Sequence, residues 1–233
     1  MWQPVLSAVA RQREIIALDL PGFGGSPPLA EGLAPSPDEL ARAVATFLDE
    51  VGWQRPHVAG NSLGGWIALE LARMGRARSV VAISPAGFWS PGELRYARAC
   101  LRASRWIARA LRPLLKRALA SAAGRALLLS QMYARPWRLP AAAAVSALEN
   151  FGTAVGFDET FKALAIRDGF RGGEEVACPV TIAWGSRDRM LFPRQLARAL
   201  ARLPQARAVT LAGCGHVPTW DDPERVARLL LGD

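Results

Sequence analysis

The feature that most constrains this chain is a serine flanked by glycines at the junction of a predicted strand and a predicted helix. The run Pro56–Gly60 predicts a strand and the stretch from Leu63 to Met74 predicts a helix. Ser62 lies between them, in the turn Gly60-Asn61-Ser62-Leu63-Gly64. This order is typical of a nucleophile elbow, a strained turn that projects the serine hydroxyl above the sheet. We expect Gly60 and Gly64 to keep side chains out of the crowded bend.

The same position gives Ser62 a nearby hydrogen-bond donor. The Leu63 N–H would lie at the N-terminus of the following helix, where it can face a developing oxyanion. Nucleotide-binding interpretations fit less well. No Gly-Lys-Ser or Gly-Lys-Thr follows, which excludes a P-loop. The second glycine cluster, residues 22–25, has Pro27 where a dinucleotide fingerprint needs its third glycine.

A serine nucleophile needs a base, and the chain holds 2 histidines. His57 lies inside the strand that leads to Ser62, so we interpret it as a strand histidine hydrogen-bonded at the sheet margin. His216 follows the last predicted strand, at the carboxyl edge of the sheet that also carries Ser62. We therefore predict His216 as the base. A serine–lysine pair is possible in principle, but Lys116 lies in an insertion and Lys162 just past its end.

The base needs an acid to orient it. Asp188 follows the strand that precedes the one leading to His216. The alternative is an ordinary turn aspartate between two arginines. However, the chain order Ser62, Asp188, His216 is the triad order of the fold that carries a nucleophile elbow. It matches no other common order of a serine-hydrolase triad. We predict Asp188 as the orienting acid.

Strands and helices alternate along the chain, as in a mostly parallel sheet covered on both faces. Five strands are predicted, over residues 15–20, 56–60, 79–84, 179–184 and 208–211. Ser36, Pro37 and Glu39 carry the pattern of a helix start. Between residues 86 and 160 the alternation gives way to an arginine-rich helical segment. We therefore predict an α/β core over residues 1–85 and 161–233, with a helical lid inserted over residues 86–160.

Four motifs occur in order at separate places: residues 18–24 (Leu-Asp-Leu-Pro-Gly-Phe-Gly), 60–65, 184–188 and the pair Gly215-His216. Together they resemble the lid-bearing α/β-hydrolase superfamily over most of the chain. The resemblance implies a Ser-His-Asp hydrolase. Serine at the elbow argues against the haloalkane dehalogenases and epoxide hydrolases of the superfamily, which use aspartate there. The residues 60–62 are similar to elbows of esterases and of carbon–carbon bond hydrolases.

The superfamily pattern has strands that precede Ile15, with a His-Gly loop that supplies a second oxyanion donor. Here residues 1–6 resemble the helix after that loop. A further strand would lie between the strands at Ile15 and His57, and its loss leaves strand edges unpaired. The resemblance therefore implies a chain that lacks its N-terminal strands and one oxyanion donor.

The formal net charge is +9, with cations that are almost all arginine. An excess of basic over acidic residues can indicate a nucleic-acid or membrane partner. A coding bias towards arginine also explains the excess, and we expect no nucleic-acid partner. The 3 cysteines and 2 histidines have no disulfide or zinc spacing, so we expect neither a metal nor a cofactor. No segment resembles a secretory signal or a membrane span. These features favour a cytoplasmic protein with a small-molecule substrate.

The predicted lid carries most of the net charge. Its cations at positions 95, 98, 102, 105, 109, 112 and 116 share one helical face, and Pro113 is predicted to divide the helix. We favour a solvated basic face, with the apolar face, including Ile107, Leu111 and Leu114, directed to the core. Weak contact with an anionic membrane surface, or steering of acidic substrates, is the alternative. Four aromatic residues and Asn61 are weaker candidates for substrate contacts; the aromatic residues are Trp89, Trp106, Trp137 and Phe151.

The sequence thus predicts a hydrolase that cleaves a small-molecule ester through an acyl-enzyme on Ser62, with Leu63 as an oxyanion donor. A carbon–carbon hydrolase of diketone-like acids or an acyltransferase would use the same residues. An inactive fragment or a lipid-surface binder is the non-enzyme alternative.

Overall fold

The computed structural model describes residues 1–166 and 169–232. Within them the elements are α1 (Gln3–Ala10), α2 (Pro37–Glu50), β1 (His57–Asn61), α3 (Leu63–Arg73), β2 (Ser79–Ile83), α4 (Pro91–Ala110), α5 (Arg112–Ala120), α6 (Ala122–Leu129), α7 (Ala141–Thr153), α8 (Phe157–Ile166), β3 (Val180–Gly185), α9 (Gln195–Arg202), β4 (Arg207–Leu211), α10 (Pro218–Asp221) and α11 (Pro223–Leu231). Two 3-10 helices, Pro136–Arg138 and Gly173–Glu175, lie in the connections.

The described strands form one parallel sheet in the order β1-β2-β3-β4. Successive side chains of a strand point to opposite faces, and the core follows that alternation. Val80 and Ala82 pack with α3 and α9 on one face. Ile83 packs on the other face, in a cluster with Val5 of α1 and Val226 of α11. The predicted α/β class and parallel sheet are therefore confirmed.

One of the five predicted strands is wrong. Residues 15–20 form no regular secondary structure, and Ile16 and Leu18 are 38% and 36% exposed. An apolar run becomes a strand only when a neighbouring backbone takes up its hydrogen bonds, and among the described strands β1 is the sheet edge on this side. Residues 15–20 face β1 across a cavity that both segments line.

Between β2 and β3 the described chain is helical, as predicted. α4 begins with a capping box: the Ser90 hydroxyl accepts from the Glu93 N–H, and the Glu93 carboxylate accepts from the Ser90 N–H. The helix ends at Ala110 and α5 begins at Arg112, so the break falls at the predicted proline, which occupies the first turn of α5. Helix α8 runs across residue 160, where we placed the end of the insertion.

The prediction for the basic helix face is confirmed in part: its cations at positions 95, 102, 109, 112 and 116 are exposed, whereas Arg105 and the apolar face depart from it. Arg105 is only 3% exposed, and its guanidinium donates to the carbonyls of Phe151 and Ala154, each at 2.6 Å. The three residues assigned to the core-facing side are instead 37%, 40% and 63% exposed: Ile107, Leu111 and Leu114. The physical reason is the C-terminus of α7, whose unpaired carbonyls attract cations. Arg105 therefore packs against the end of α7, whereas the other arginines of α4 stay exposed or half-buried.

Candidate active site

Ser62 occupies a strained turn between β1 and α3. Its φ of 57° and ψ of −119° lie outside the regions that non-glycine residues favour, at a cost of about 1–3 kcal/mol. The turn is held on both sides, because the Ser62 N–H donates to the Ile83 carbonyl and the Ser62 carbonyl accepts from the Ala86 N–H, each at 3.0 Å. The side chain lines the cavity described below. This geometry is that of a nucleophile elbow.

The glycines around the turn have unequal roles. A Cβ on Gly60 would lie 2.0 Å from the carbonyl oxygen of Gly64, so no side chain fits there. A Cβ on Gly65 would come within 3.0 Å of Pro85. A Cβ on Gly64 would meet nothing within 4 Å, which corrects our expectation that Gly64 keeps a side chain out of the bend. The close packing of the elbow therefore depends on Gly60 and Gly65.

The structure brings His216 and Asp188 together, although they are 28 positions apart in the chain. His216 Nδ1 lies 2.8 Å from Asp188 Oδ2, and both residues are buried. The other carboxylate oxygen, Oδ1, accepts from the N–H groups of Met190 and Leu191 at 2.9 and 2.8 Å. These bonds hold the Asp188 carboxylate in place beside the His216 imidazole. They direct the Nδ1 edge of His216 to Asp188 and leave Nε2 for another partner.

Ser62, Leu63 and His216 line one cavity of about 1680 Å³. Its far wall is formed by the helices between β2 and β3, with Leu101 of α4 and Phe161 of α8 among its apolar side chains. No hydrogen bond joins the Ser62 hydroxyl to the His216 ring in the described part of the chain. Such bonds are often long until substrate is bound. The cavity is large because it continues into the gap between β1 and residues 15–20.

The backbone around His216 is held from three directions. Asn61 Nδ2 donates to the His216 carbonyl at 2.9 Å and to the Ile83 carbonyl at 3.0 Å. The Val217 N–H donates to the Met132 carbonyl at 3.0 Å. The Gly215 N–H donates to Asp221 Oδ2 at 2.8 Å. Asn61, which we proposed as a weak substrate contact, thus uses its amide donors to join the elbow to the histidine loop.

Asp221 is a site residue that sequence reasoning missed. Besides Gly215, its carboxylate accepts from the N–H groups of Ala134 and Arg135 at 3.0 and 2.8 Å. It therefore connects the histidine loop to the segment that follows α6. Burial, together with the charge of Asp221, raises the pKa of Tyr133 to about 12. No signal in the sequence separates Asp221 from Asp222 beside it.

The predicted aromatic contacts divide into two groups. Trp89 and Phe151 line the cavity. Trp106 and Trp137 do not, and they are 68% and 50% exposed, so their predicted place in the pocket is wrong. Trp106 lies on the side of α4 that faces solvent. Both tryptophans lie in the predicted helical insertion, and the sequence does not determine which face of each helix is turned towards the cavity.

His57 lies at the sheet margin, as we expected. Its Nδ1 is 2.7 Å from the Ser79 hydroxyl, on the neighbouring strand. Partial burial and the charges of Arg13 and Arg78 lower the pKa of His57, which favours the neutral ring. The interpretation as a hydrogen-bonded strand histidine is confirmed.

Within residues 1–166 and 169–232, no three side chains of His, Cys, Asp or Glu are grouped so that they could bind a metal ion. In the same ranges no helix combines the length and the apolar character that crossing a bilayer requires.

Comparison with known proteins gives consistent results. A model of the alpha/beta hydrolase family matches residues 1–229. The epoxide hydrolase EphH of Mycobacterium tuberculosis is 32% identical over 196 residues, which cover 82% of this chain and 91% of that protein. The crystal structure of a membrane phospholipase A, described as a bacterial virulence factor, superposes with a TM-score of 0.77 at 26% identity, over 99% of this chain and 73% of that one. A thermophilic esterase from Thermogutta terrifontis superposes with a TM-score of 0.74 at 19% identity, over 99% and 83% of the two chains, and shares the fold.

Proposed function

Because this chain belongs to the alpha/beta hydrolase family, we propose that it is a serine hydrolase that cleaves a small-molecule carboxylic ester through an acyl-enzyme on Ser62. The observation that carries the proposal is the His216–Asp188 hydrogen bond, formed beside the same cavity that the strained Ser62 lines. A buried pair of this kind prepares the ring to accept a proton at Nε2.

In the proposed reaction, Ser62 Oγ attacks the ester carbonyl carbon while His216 Nε2 takes the hydroxyl proton. Asp188 stabilises the imidazolium that forms. The Leu63 N–H donates to the oxyanion of the tetrahedral intermediate, because the first N–H groups of a helix have no intrahelical acceptor. The imidazolium returns its proton to the departing alkoxide as the C–O bond breaks. Water, activated by the same ring, then releases the acid and restores Ser62.

The identity of residue 62 supports an ester over an epoxide. One relative is named an epoxide hydrolase, but epoxide hydrolases of the superfamily are expected to carry an aspartate at the elbow, where this chain has Ser62. A serine attacks an acyl carbonyl and forms an intermediate that water readily hydrolyses. The predominantly apolar wall formed by residues such as Trp89, Leu101 and Phe161 favours a substrate with an apolar acyl or alcohol group.

The test is steady-state hydrolysis of p-nitrophenyl butyrate by the purified chain. Ser62→Ala is expected to lower kcat by about 10³-fold or more. Ser146→Ala is the matched control, because Ser146 lines the same cavity on α7 and has no assigned role; its kcat should stay within about twofold. Equal losses in both variants, or unchanged turnover in Ser62→Ala, would overturn the proposal.

The same preparation separates the alternative reactions. Styrene oxide tests epoxide opening, and a vinylogous 1,5-diketone acid tests carbon–carbon hydrolysis. Turnover of either, with a kcat/KM above that of every ester in a panel of chain lengths, would replace ester hydrolysis as the assigned reaction. Added alcohol that yields a new ester in preference to the acid would assign acyl transfer instead.

A further inference from the structure

The segment between β2 and β3 has an extreme distribution of charge. No aspartate or glutamate occurs from residue 94 to residue 148, while that stretch holds 11 arginine and lysine residues. The acidic residues that bound it, Glu93 and Glu149, are both engaged in ion pairs. Asp158 also pairs with Arg105 and Arg109, but the cations still outnumber these acids, so this part of the surface carries a net positive charge.

The end of α4 and the start of α5 also expose large apolar side chains. Trp106 is 68% exposed, Leu114 63%, Leu111 40% and Ile107 37%. These four residues fall within nine positions of one another, at the end of α4 and the start of α5. Trp106, Arg102 and Arg109 line a shallow depression together with Asp158. We call residues 102–117 the basic–apolar surface.

The basic–apolar surface faces away from the candidate active site. Ala97 and Leu101, on α4, line the cavity. Trp106 lies nine positions after Ala97, which places it roughly 180° away around the helix at about 100° per residue. None of its four exposed apolar residues lines the cavity. The surface is therefore a separate feature of the same helix, and packing inside the protein does not explain it.

The combination of exposed apolar side chains and cations on the basic–apolar surface fits one kind of partner best. Exposed apolar side chains next to cations match the headgroup region of a bilayer, where tryptophan and leucine enter the acyl boundary and arginine pairs with anionic headgroups. Arg117 is exposed and has no hydrogen bond or ion pair within the described residues. We propose that the basic–apolar surface docks the protein on an anionic lipid bilayer. A polyanion such as nucleic acid would need the cations, but would leave the exposed tryptophan and leucines without a role.

The experiment is co-sedimentation of the full chain with vesicles. Vesicles of phosphatidylcholine with 30% phosphatidylglycerol are compared with vesicles of pure phosphatidylcholine, at low salt and at 0.5 M NaCl. Binding should be stronger on the anionic vesicles, and salt should weaken it because it screens the headgroup charge. Absence of binding at low salt, or equal binding to both compositions, would overturn the proposal.

Variants then assign the binding to this surface. The double variant Trp106→Ala/Leu114→Ala should lower the partition coefficient by about tenfold or more, because it removes apolar area that enters the bilayer. Arg117→Gln should lower it by about fivefold. The matched controls are Leu33→Ala and Arg11→Gln, which remove an exposed leucine and an exposed arginine elsewhere on the protein; both should bind as the wild type does.

Hydrolysis of a soluble ester and the thermal midpoint check that each variant is folded, since none of the substituted residues lies in the candidate active site. Binding that survives the double variant while Arg117→Gln weakens it would indicate a purely electrostatic contact and contradict docking. Tighter binding of a short DNA duplex, competing with the vesicles, would assign the surface to nucleic acid. The result does not depend on the role of Ser62, so this proposal and the proposed function can fail separately.

Discussion

Replacing Asp221 by asparagine should lower both the stability and the turnover number of the protein. The Asp221 carboxylate is 4% exposed and accepts three backbone N–H groups, those of Ala134, Arg135 and Gly215. Two of the three bonds, from Ala134 and Gly215, end on Oδ2. Asparagine keeps one oxygen acceptor and places an NH2 group where the second oxygen stood. The amide oxygen is expected at the Oδ2 position, where it keeps the bonds from Ala134 and Gly215 without the negative charge; the NH2 group then faces the Arg135 N–H, which loses its acceptor.

The magnitude follows from one lost bond and two that become neutral. A hydrogen bond to a charged group contributes about 1.5–3 kcal/mol, roughly 1 kcal/mol more than a neutral one, so the variant should lose about 3–5 kcal/mol of unfolding free energy. For a chain of 233 residues, each kcal/mol lowers the thermal midpoint by about 2–4 °C. A midpoint about 6–20 °C lower is expected. Because Gly215 precedes His216, a displacement of the loop by about 1 Å should also lower kcat by about 10²-fold.

The assay compares thermal unfolding with ester hydrolysis at 20 °C, where the variant is still folded. Asp222→Asn is the matched control: Asp222 caps α11 by accepting from the Arg225 N–H at 3.1 Å, and asparagine caps a helix equally well. The control should keep its midpoint within about 2 °C and its kcat within about twofold. A purely structural role would lower the midpoint and leave kcat unchanged. If kcat of Asp221→Asn equals that of the wild type, or if Asp222→Asn loses as much, the reasoning is refuted.

Three further predictions concern the elbow, a thiol and a carboxylate. Gly60→Ala should lower the thermal midpoint by more than about 6 °C, because the added Cβ would lie 2.0 Å from the Gly64 carbonyl oxygen. Gly64→Ala, with open space around its Cβ, should leave the midpoint equal or higher. Equal destabilisation by the two substitutions would contradict the assigned packing. Burial, with help from neighbouring carboxylates, raises the pKa of the Cys214 thiol to about 11, so iodoacetamide at pH 8 should modify the partly exposed Cys100 first, as peptide mass spectrometry can show; preferential modification of Cys214 would contradict it. Burial opposes ionisation of Glu93, but hydrogen bonds and the positive charge of two arginines hold its pKa below the usual 4.5; the stability that ionised Glu93 contributes is therefore complete above about pH 4.5 and lost as the pH falls through the folded pKa. The unfolding free energies of wild type and Glu93→Gln, measured with denaturant, should differ most at neutral pH and converge as the pH falls through the folded pKa; a difference that grows with acid would refute this.

The elements that the sequence predicted well are those whose signals are local. The Ser36 hydroxyl accepts from the Glu39 N–H, as the capping pattern of α2 required. The chain order of Ser62, Asp188 and His216 pointed to a shared sheet edge, because parallel strands end there. The structure brings the last two together at 2.8 Å.

The features that the sequence could not determine depend on packing between distant segments. A strand at residues 15–20 requires a partner backbone, and apolar content alone does not reveal whether one is present. Arg105 could have faced water with the other cations of α4, but the carbonyls at the end of α7 accept its hydrogen bonds. Ile107 and Trp106, on the same helix, are exposed. Asp221 was missed for the same reason, since its donors at Ala134 and Arg135 lie more than 80 positions earlier.

The central claim, that Ser62 is an activated nucleophile, is tested most directly by fluorophosphonate labelling followed by peptide mass spectrometry. The account predicts stoichiometric modification of Ser62 in the wild type, none in Ser62→Ala, and labelling slowed by about 10³-fold or more in His216→Ala. Ser146→Ala should be labelled as the wild type is, which would show that losing a serine from the cavity wall does not by itself prevent labelling of Ser62. Modification at another residue, or none at any residue of the folded protein, would contradict the account.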